Sequence, residues 1–206
     1  MRKIVELTSN ILKIFNLAVI RYSTLMEYRS YRTSDLATVY LRNLTNIDTK
    51  EFLFYLEHSK SQAIQDVVVL ALLNFKDNGY FVEFGATDGL FLSNTFLLEK
   101  NKNWKGILSE PSTIQNKYLK INRSCNLDYH CVWNKSEEMI TFSETNLPHL
   151  STINFFKKSD QHKHLRKKSR QYEVESITLE ELLEKFDAPI ILNFYLLILK
   201  ALNMKF

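Results

Sequence analysis

Apolar residues recur at two different periods along this chain, and the change of period divides it. Ile4, Leu7, Ile11, Ile14, Phe15 and Ala18 stand at helical spacing. Residues 1–57 therefore read as a helical N-terminal extension, and residues 58–206 as a separate domain. Gln62 to Phe75 predicts a further helix, with Ser61 as its N-cap. Asp66 sits in the first turns, where the helix dipole favours negative charge. Asp77-Asn78-Gly79 then stops the helix and turns the chain. From Gly79 onward the pattern alternates. Apolar runs at Tyr80–Phe84, Gly106–Ser109 and Tyr129–Trp133 predict strands, and Ser93–Lys100 and Ser112–Asn122 predict the helices between them. This βαβαβ order predicts a parallel, three-layer α/β sheet with right-handed crossovers. Met139–Phe142 and Tyr172–Ser176 read as additional strands. Thr178 opens a last helix, with Glu181 in capping-box spacing.

Composition changes this picture little. At 206 residues, 45% hydrophobic and 24% charged, the chain is ordinary for a globular protein of one domain plus an extension. A net charge of +4 is too small to predict nucleic acid as a partner. Cys125 and Cys131 are too few for a disulfide framework and point to a reducing compartment. The start, Met1-Arg2-Lys3, raises the question of a signal peptide. Its apolar stretch Ile11–Ile20 is broken by Lys13 and Asn16, and Arg21-Tyr22 stands where small cleavage-site residues would be. The expectation is a packing helix, no transmembrane segment, and a cytoplasmic protein. Lys157–Arg170 is a basic run, expected to be solvated. Its functional alternative is a contact surface for an anionic partner. His162 and His164 lie within it without a Cys or carboxylate cluster, so no metal site is expected.

The chemistry concentrates at Gly79–Asn94, GYFVEFGATDGLFLSN. A strand runs into Glu83, turns at Gly85, passes Asp88-Gly89 and enters a helix. Such a turn lies beyond the carboxyl end of a strand, where open α/β sheets bind ligands. Glycine there lets a ligand approach the backbone. Glu110 ends the second strand, placed to accept hydrogen bonds from both hydroxyls of a ribose. Dinucleotides need G-x-G-x-x-G, so that a helix N-terminus faces a pyrophosphate. Gly85-Ala86-Thr87-Asp88-Gly89 has other spacing, and Asp88 would repel phosphate. S-adenosylmethionine carries a sulfonium, an ammonium and no phosphate, and an acidic turn suits it.

Several motifs, in one order, resemble the FkbM family of S-adenosylmethionine-dependent methyltransferases. They are Ser61-Gln62-x-x-Gln65-Asp66, Phe81-Val82-Glu83-Phe84-Gly85-Ala86-Thr87-Asp88-Gly89, Leu92-Ser93-Asn94-Thr95, and Trp104-Lys105-Gly106-Ile107-Leu108-Ser109-Glu110-Pro111. The likeness covers roughly Ser59 to Pro189, continuing weakly through Cys131-Val132, Leu150-Ser151-Thr152-Ile153 and Tyr172-Glu173-Val174-Glu175-Ser176-Ile177-Thr178-Leu179. Thr87 stands where the family has Asn. The resemblance implies a class I methyltransferase (Rossmann-like) fold and methyl transfer to a hydroxyl of a sugar or natural product. The acceptor would be a glycan or other small molecule. It carries over Glu83, Gly85, Ala86, Asp88, Gly89, Asn94 and Glu110 as cofactor-site positions. A non-catalytic binding or scaffold module of the same fold, using the basic run, is the alternative.

The likeness stops after Pro189, where the family continues with a strand ending near SIDTEGSEYEI. One permitted choice of codons for Tyr195–Phe206, read in a shifted register, encodes Ser-Ile-Asp-Thr-Glu-Gly-Ser-Glu-Tyr-Glu-Ile. The expectation is a frameshift between about Pro189 and Tyr195, a sheet with incomplete C-terminal strands, and a truncated chain. The missing strand would carry carboxylates beside the cofactor, so no general base is identified and weak or no activity is expected.

Overall fold

The computed structural model describes residues 35–42, 47–145, 151–153 and 169–189. The apolar stripe at 4–18, the basic run over 157–168 and the tail from 190 lie outside the described residues. The chain divides into two compact units, Met1–Asn43 and Leu44–Phe206. In the first unit, residues 35–42 are helical.

The second unit begins its described elements with α1, Thr49–His58. Asp48 caps it, its carboxylate accepting from the backbone N–H groups of Lys50 and Glu51. Phe52 and Tyr55 form its buried face, and the Tyr55 ring stacks on Phe75 with centroids 5.8 Å apart. This packing ties α1 to the unit that holds the strands. Helix α2, Gln65–Leu72, is shorter than the apolar pattern predicts. Ile64 enters it in a left-handed conformation, and Ser61 is not its cap. Instead the hydroxyls of Ser59 and Ser61 both donate to Asp66, at 2.7 Å each. Asp66 is fully buried, and that burial pushes its carboxyl above the ordinary value despite these donors.

Three strands form a parallel sheet in the order β1–β2–β3: Tyr80–Phe84, Lys105–Ser109 and Asn126–Asp128. Tyr80 faces Lys105, and Phe84 faces Ser109; Ile107 faces Asn126, and Ser109 faces Asp128. Helices α3, Phe96–Lys102, and α4, Asn116–Asn122, connect them. The βαβαβ order is thus present, with one correction. The third strand lies at Asn126–Asp128, ahead of the predicted Tyr129–Trp133. The Asp128 carboxylate accepts from the His130 backbone N–H and bends the chain out of the sheet. Cys131–Val132 becomes β4 and pairs in parallel with a distant strand, β7, Arg170–Ile177. β7 also pairs antiparallel with β5, Met139–Glu144, whose other neighbour is β6, Thr152–Ile153. The result is a mixed α/β unit with one parallel and one mixed sheet.

Alternation along β1 sends side chains to opposite faces. Val82 and Phe84 join Ile107, Ile177 and Leu182, so that α5, Leu179–Lys185, covers this face. Phe81 and Glu83 point the other way, toward α3 and α4. Thr178 caps α5 as expected, accepting from the Glu181 N–H at 3.2 Å. The reciprocal half of a capping box is replaced: the Thr178 N–H donates to Ser136.

Candidate functional site

The site is built from the carboxyl ends of β1, β2 and β3. Glu83, one residue before the end of β1, is fully buried. Its carboxylate accepts from the Thr95 hydroxyl at 2.6 Å, the Ser93 hydroxyl at 3.1 Å and the Asn94 N–H at 3.2 Å. Ser93 does the local capping, its hydroxyl accepting from the backbone of Thr95 and Phe96. Glu83 therefore fastens the strand to the start of α3. Asn94 is buried beside it, and its side-chain oxygen has no hydrogen-bond partner among the described residues.

Gly85 follows with φ of +65°, a conformation that favours glycine, and its N–H donates to the Ser109 carbonyl at 2.8 Å. The chain then closes a tight turn, with the Gly89 N–H donating to the Ala86 carbonyl at 2.9 Å. Ala86 is fully buried. Asp88 is half-buried, and one of its oxygens accepts from the N–H groups of Leu90 and Phe91. Gly89 has φ of +77°, and a Cβ there would lie 2.6 Å from Arg123 Cγ and 2.7 Å from Leu119 Cδ1. Glycine at this position thus admits the side chains of Leu119, in α4, and of Arg123, just beyond it.

Arg123, just after α4, organises the back of the turn. Its guanidinium is wholly buried and donates to Glu99, the Gly89 carbonyl, Ser93 and Thr95. The Phe81 and Phe96 rings pack against it, 5.4 and 5.9 Å away. Burial pushes the Glu99 carboxyl up, but the Arg123 charge and hydrogen bonds from Ser124 and Arg123 outweigh it and hold the group at about 2. Two shared hydroxyls, of Ser93 and Thr95, link this ion pair to Glu83. No sequence pattern marks Arg123: it is one basic residue in an Asn-Arg-Ser stretch.

Glu110 lies beyond β2 with 4% of its surface exposed. One carboxylate oxygen accepts from the Thr87 N–H at 2.7 Å and the other from the Ser112 N–H at 2.8 Å. Its own N–H donates to the Asp128 carbonyl at 3.0 Å. Glu110 therefore joins the ends of all three parallel strands. The second sheet braces the same loop. Glu144, at the end of β5, accepts from the Ser112 and Tyr172 hydroxyls. At the end of β3, Asp128 takes hydrogen bonds from Lys185 at 2.8 Å and from His130 Nδ1 at 2.9 Å. Burial works to raise its carboxyl, but these donors hold it below the ordinary value. Neither Glu144 nor Asp128 stood out in the sequence, because each is brought to the site from a separate element.

The expected site residues fall into three groups. Gly85, Ala86 and Glu110 meet at the strand ends, with Thr87 between them. Glu83 and Asn94 are joined to each other one layer deeper, and Asp88 and Gly89 lie on the outer arm of the turn, against α4. Among the described residues there is no cluster of three or more His, Cys, Asp or Glu with metal-binding geometry. Nor is any described helix long and apolar enough to cross a membrane. Comparison with protein-family profiles, curated proteins and solved structures finds no match for the chain.

Proposed function

We propose that the second unit is an S-adenosylmethionine-dependent methyltransferase domain of FkbM type, acting on a hydroxyl of a sugar or natural product. One observation carries the reading: a carboxylate, Glu110, is held across the β1 turn by Thr87 and Ser112 N–H groups at 2.7 and 2.8 Å. A carboxyl acceptor fixed at that position suits vicinal hydroxyls, which donate to it in pairs. The parallel order β1–β2–β3 puts the turn and the acid on the same edge.

The donor set fits this cofactor better than a dinucleotide. Asp88 adds negative charge to the turn, which suits an ammonium and opposes a pyrophosphate. In this reading Glu110 takes the ribose, and Asp88 with the backbone of Gly85–Thr87 takes the amino-acid end. Glu83, Gly89 and Asn94 support the turn from behind. When bound, the cofactor supplies an electrophilic methyl group on a sulfonium. The chain's part is to hold the acceptor oxygen in line with it and to exclude water. No residue is assigned as general base.

Calorimetric titration with S-adenosylhomocysteine tests the reading. The folded chain is expected to bind, and Glu110→Gln is expected to weaken binding at least about tenfold, the scale of one lost charged hydrogen-bond acceptor. Gln keeps an acceptor for one of the two N–H groups, so circular dichroism is expected to be unchanged. A folded wild type that does not bind defeats the proposal; equal binding by the variant defeats the role of Glu110.

A further inference from the structure

Helix α4 presents an outer face that the site does not use. Ile114, Tyr118 and Ile121 are 45%, 45% and 79% exposed. The turn before α4 already runs helically, with Asn116 N–H donating to the Ser112 carbonyl at 3.2 Å. At about 100° per residue these three side chains fall within one narrow stripe. Lys117 and Lys120, also exposed, occupy the adjoining stripe. On the other flank, Asn122 donates to the Asp88 carbonyl at 2.8 Å and brings up the loop bearing Phe91, 42% exposed. An apolar stripe on α4 is therefore bordered by lysines on one flank and by the Asp88–Phe91 loop on the other. No acidic residue lies between Glu110 and Asp128; of the neighbouring carboxylates, Asp88 is turned onto the N–H groups of Leu90 and Phe91, and Glu99 is paired with Arg123.

We propose that this face docks on the surface of a bilayer containing anionic phospholipid. The stripe's side chains project from the outer face of a helix, which suits insertion among acyl chains near the headgroups. Tyr118 has the apolar body and polar tip favoured at that depth. Lys117 and Lys120 can lay their stems along the apolar surface and raise their ammonium groups to phosphate level. Their head groups already lie over aromatic rings, 4.6 Å from Tyr118 and 5.3 Å from Tyr129. The proposal does not rest on the methyl-transfer reading: Ile114, Tyr118, Ile121, Lys117 and Lys120 all lie outside the cofactor turn, and only the flanking Phe91 loop adjoins it.

Co-sedimentation of the full chain with vesicles tests it, comparing phosphatidylcholine alone with a mixture containing phosphatidylserine. Binding is expected to the mixed vesicles. Lys117→Glu/Lys120→Glu is expected to cut partitioning by more than about tenfold, since each lysine near such a surface is worth about fivefold. Ile121→Asp is expected to weaken binding to a similar degree, and its high exposure leaves the fold intact by circular dichroism. Lys60→Glu/Lys105→Glu, a charge change of the same size elsewhere, is expected to have little effect. No binding by wild type overturns the proposal. So does equal binding by the α4 variants, which would place the contact on the basic run at 157–170. A shift in oligomeric state with the Ile121 variant overturns it in favour of self-association.

Discussion

Replacing Arg123 by Met removes the charge that Glu99 was buried against. The pair is closed to water: the Arg123 side chain is 0% exposed and that of Glu99 6%, with Nε and Oε2 2.6 Å apart. Glu99 is held at about 2, against an ordinary value of 4.5. That difference corresponds to about 3 kcal/mol of stability at neutral pH. Breaking a buried pair by removing one partner costs about 3–5 kcal/mol, which agrees. The Gly89 carbonyl and the Ser93 and Thr95 hydroxyls also lose a donor. We expect Arg123→Met to lose about 3–4 kcal/mol in urea denaturation at pH 7. Because Glu99 is depressed in the folded state, the wild-type contribution is complete above about pH 4.5 and disappears as pH falls toward 2. The gap between wild type and variant should close through that window. Adding Glu99→Gln to Arg123→Met should recover part of the loss, since Glu99 would otherwise keep only the solvent-exposed Lys100, 3.0 Å away, as its ionic partner. A loss below about 1 kcal/mol at pH 7, or a gap that does not narrow in acid, refutes this account.

Gly89→Ala should be destabilised by about 1–3 kcal/mol, from positive φ and from collision with the Arg123 and Leu119 side chains. The loss should be smaller in an Arg123→Ala background, measured by the same denaturation, because the nearer obstacle is gone. Burial pushes the Cys125 thiol up to about 12 and that of Cys131 to about 11. Neither should react with a disulfide reagent at pH 8 in the folded chain, since the thiolate fraction there is of order 10⁻³ or less; both should react promptly in denaturant. Fast reaction of either in the native state counts against the packing described.

The alternation of short apolar runs with helical periods was enough to predict β1, β2, the presence of α3 between them and the parallel sense of the sheet, though α3 starts three residues later than expected. It sufficed because burial imposes those periods locally. Glu110 was legible for the same reason: an acid just after a strand lies at the carboxyl edge of the sheet. Thr178 as a cap was equally local. The start of α2 was misjudged because Ser61 is drawn into a hydrogen bond with Asp66 rather than capping. The third strand was misplaced because Asp128 bends the chain two residues later, and Cys131–Val132 then finds a partner some forty residues away. Pairings across such distances leave no trace in a window of ten residues. The same limit applies to the site. Sequence could locate Glu83, Asp88 and Gly89 in one turn, but not which way each side chain faces. Tertiary packing decided that Glu83 fastens α3, that Gly89 makes room for Arg123, and that an Arg123–Glu99 ion pair holds the turn from behind. Local periodicity determined where the first two strands, the turn and Glu110 would be; long-range contacts decided the third strand and what surrounds and supports the site, because a buried charge is stable only where other elements bring it a partner.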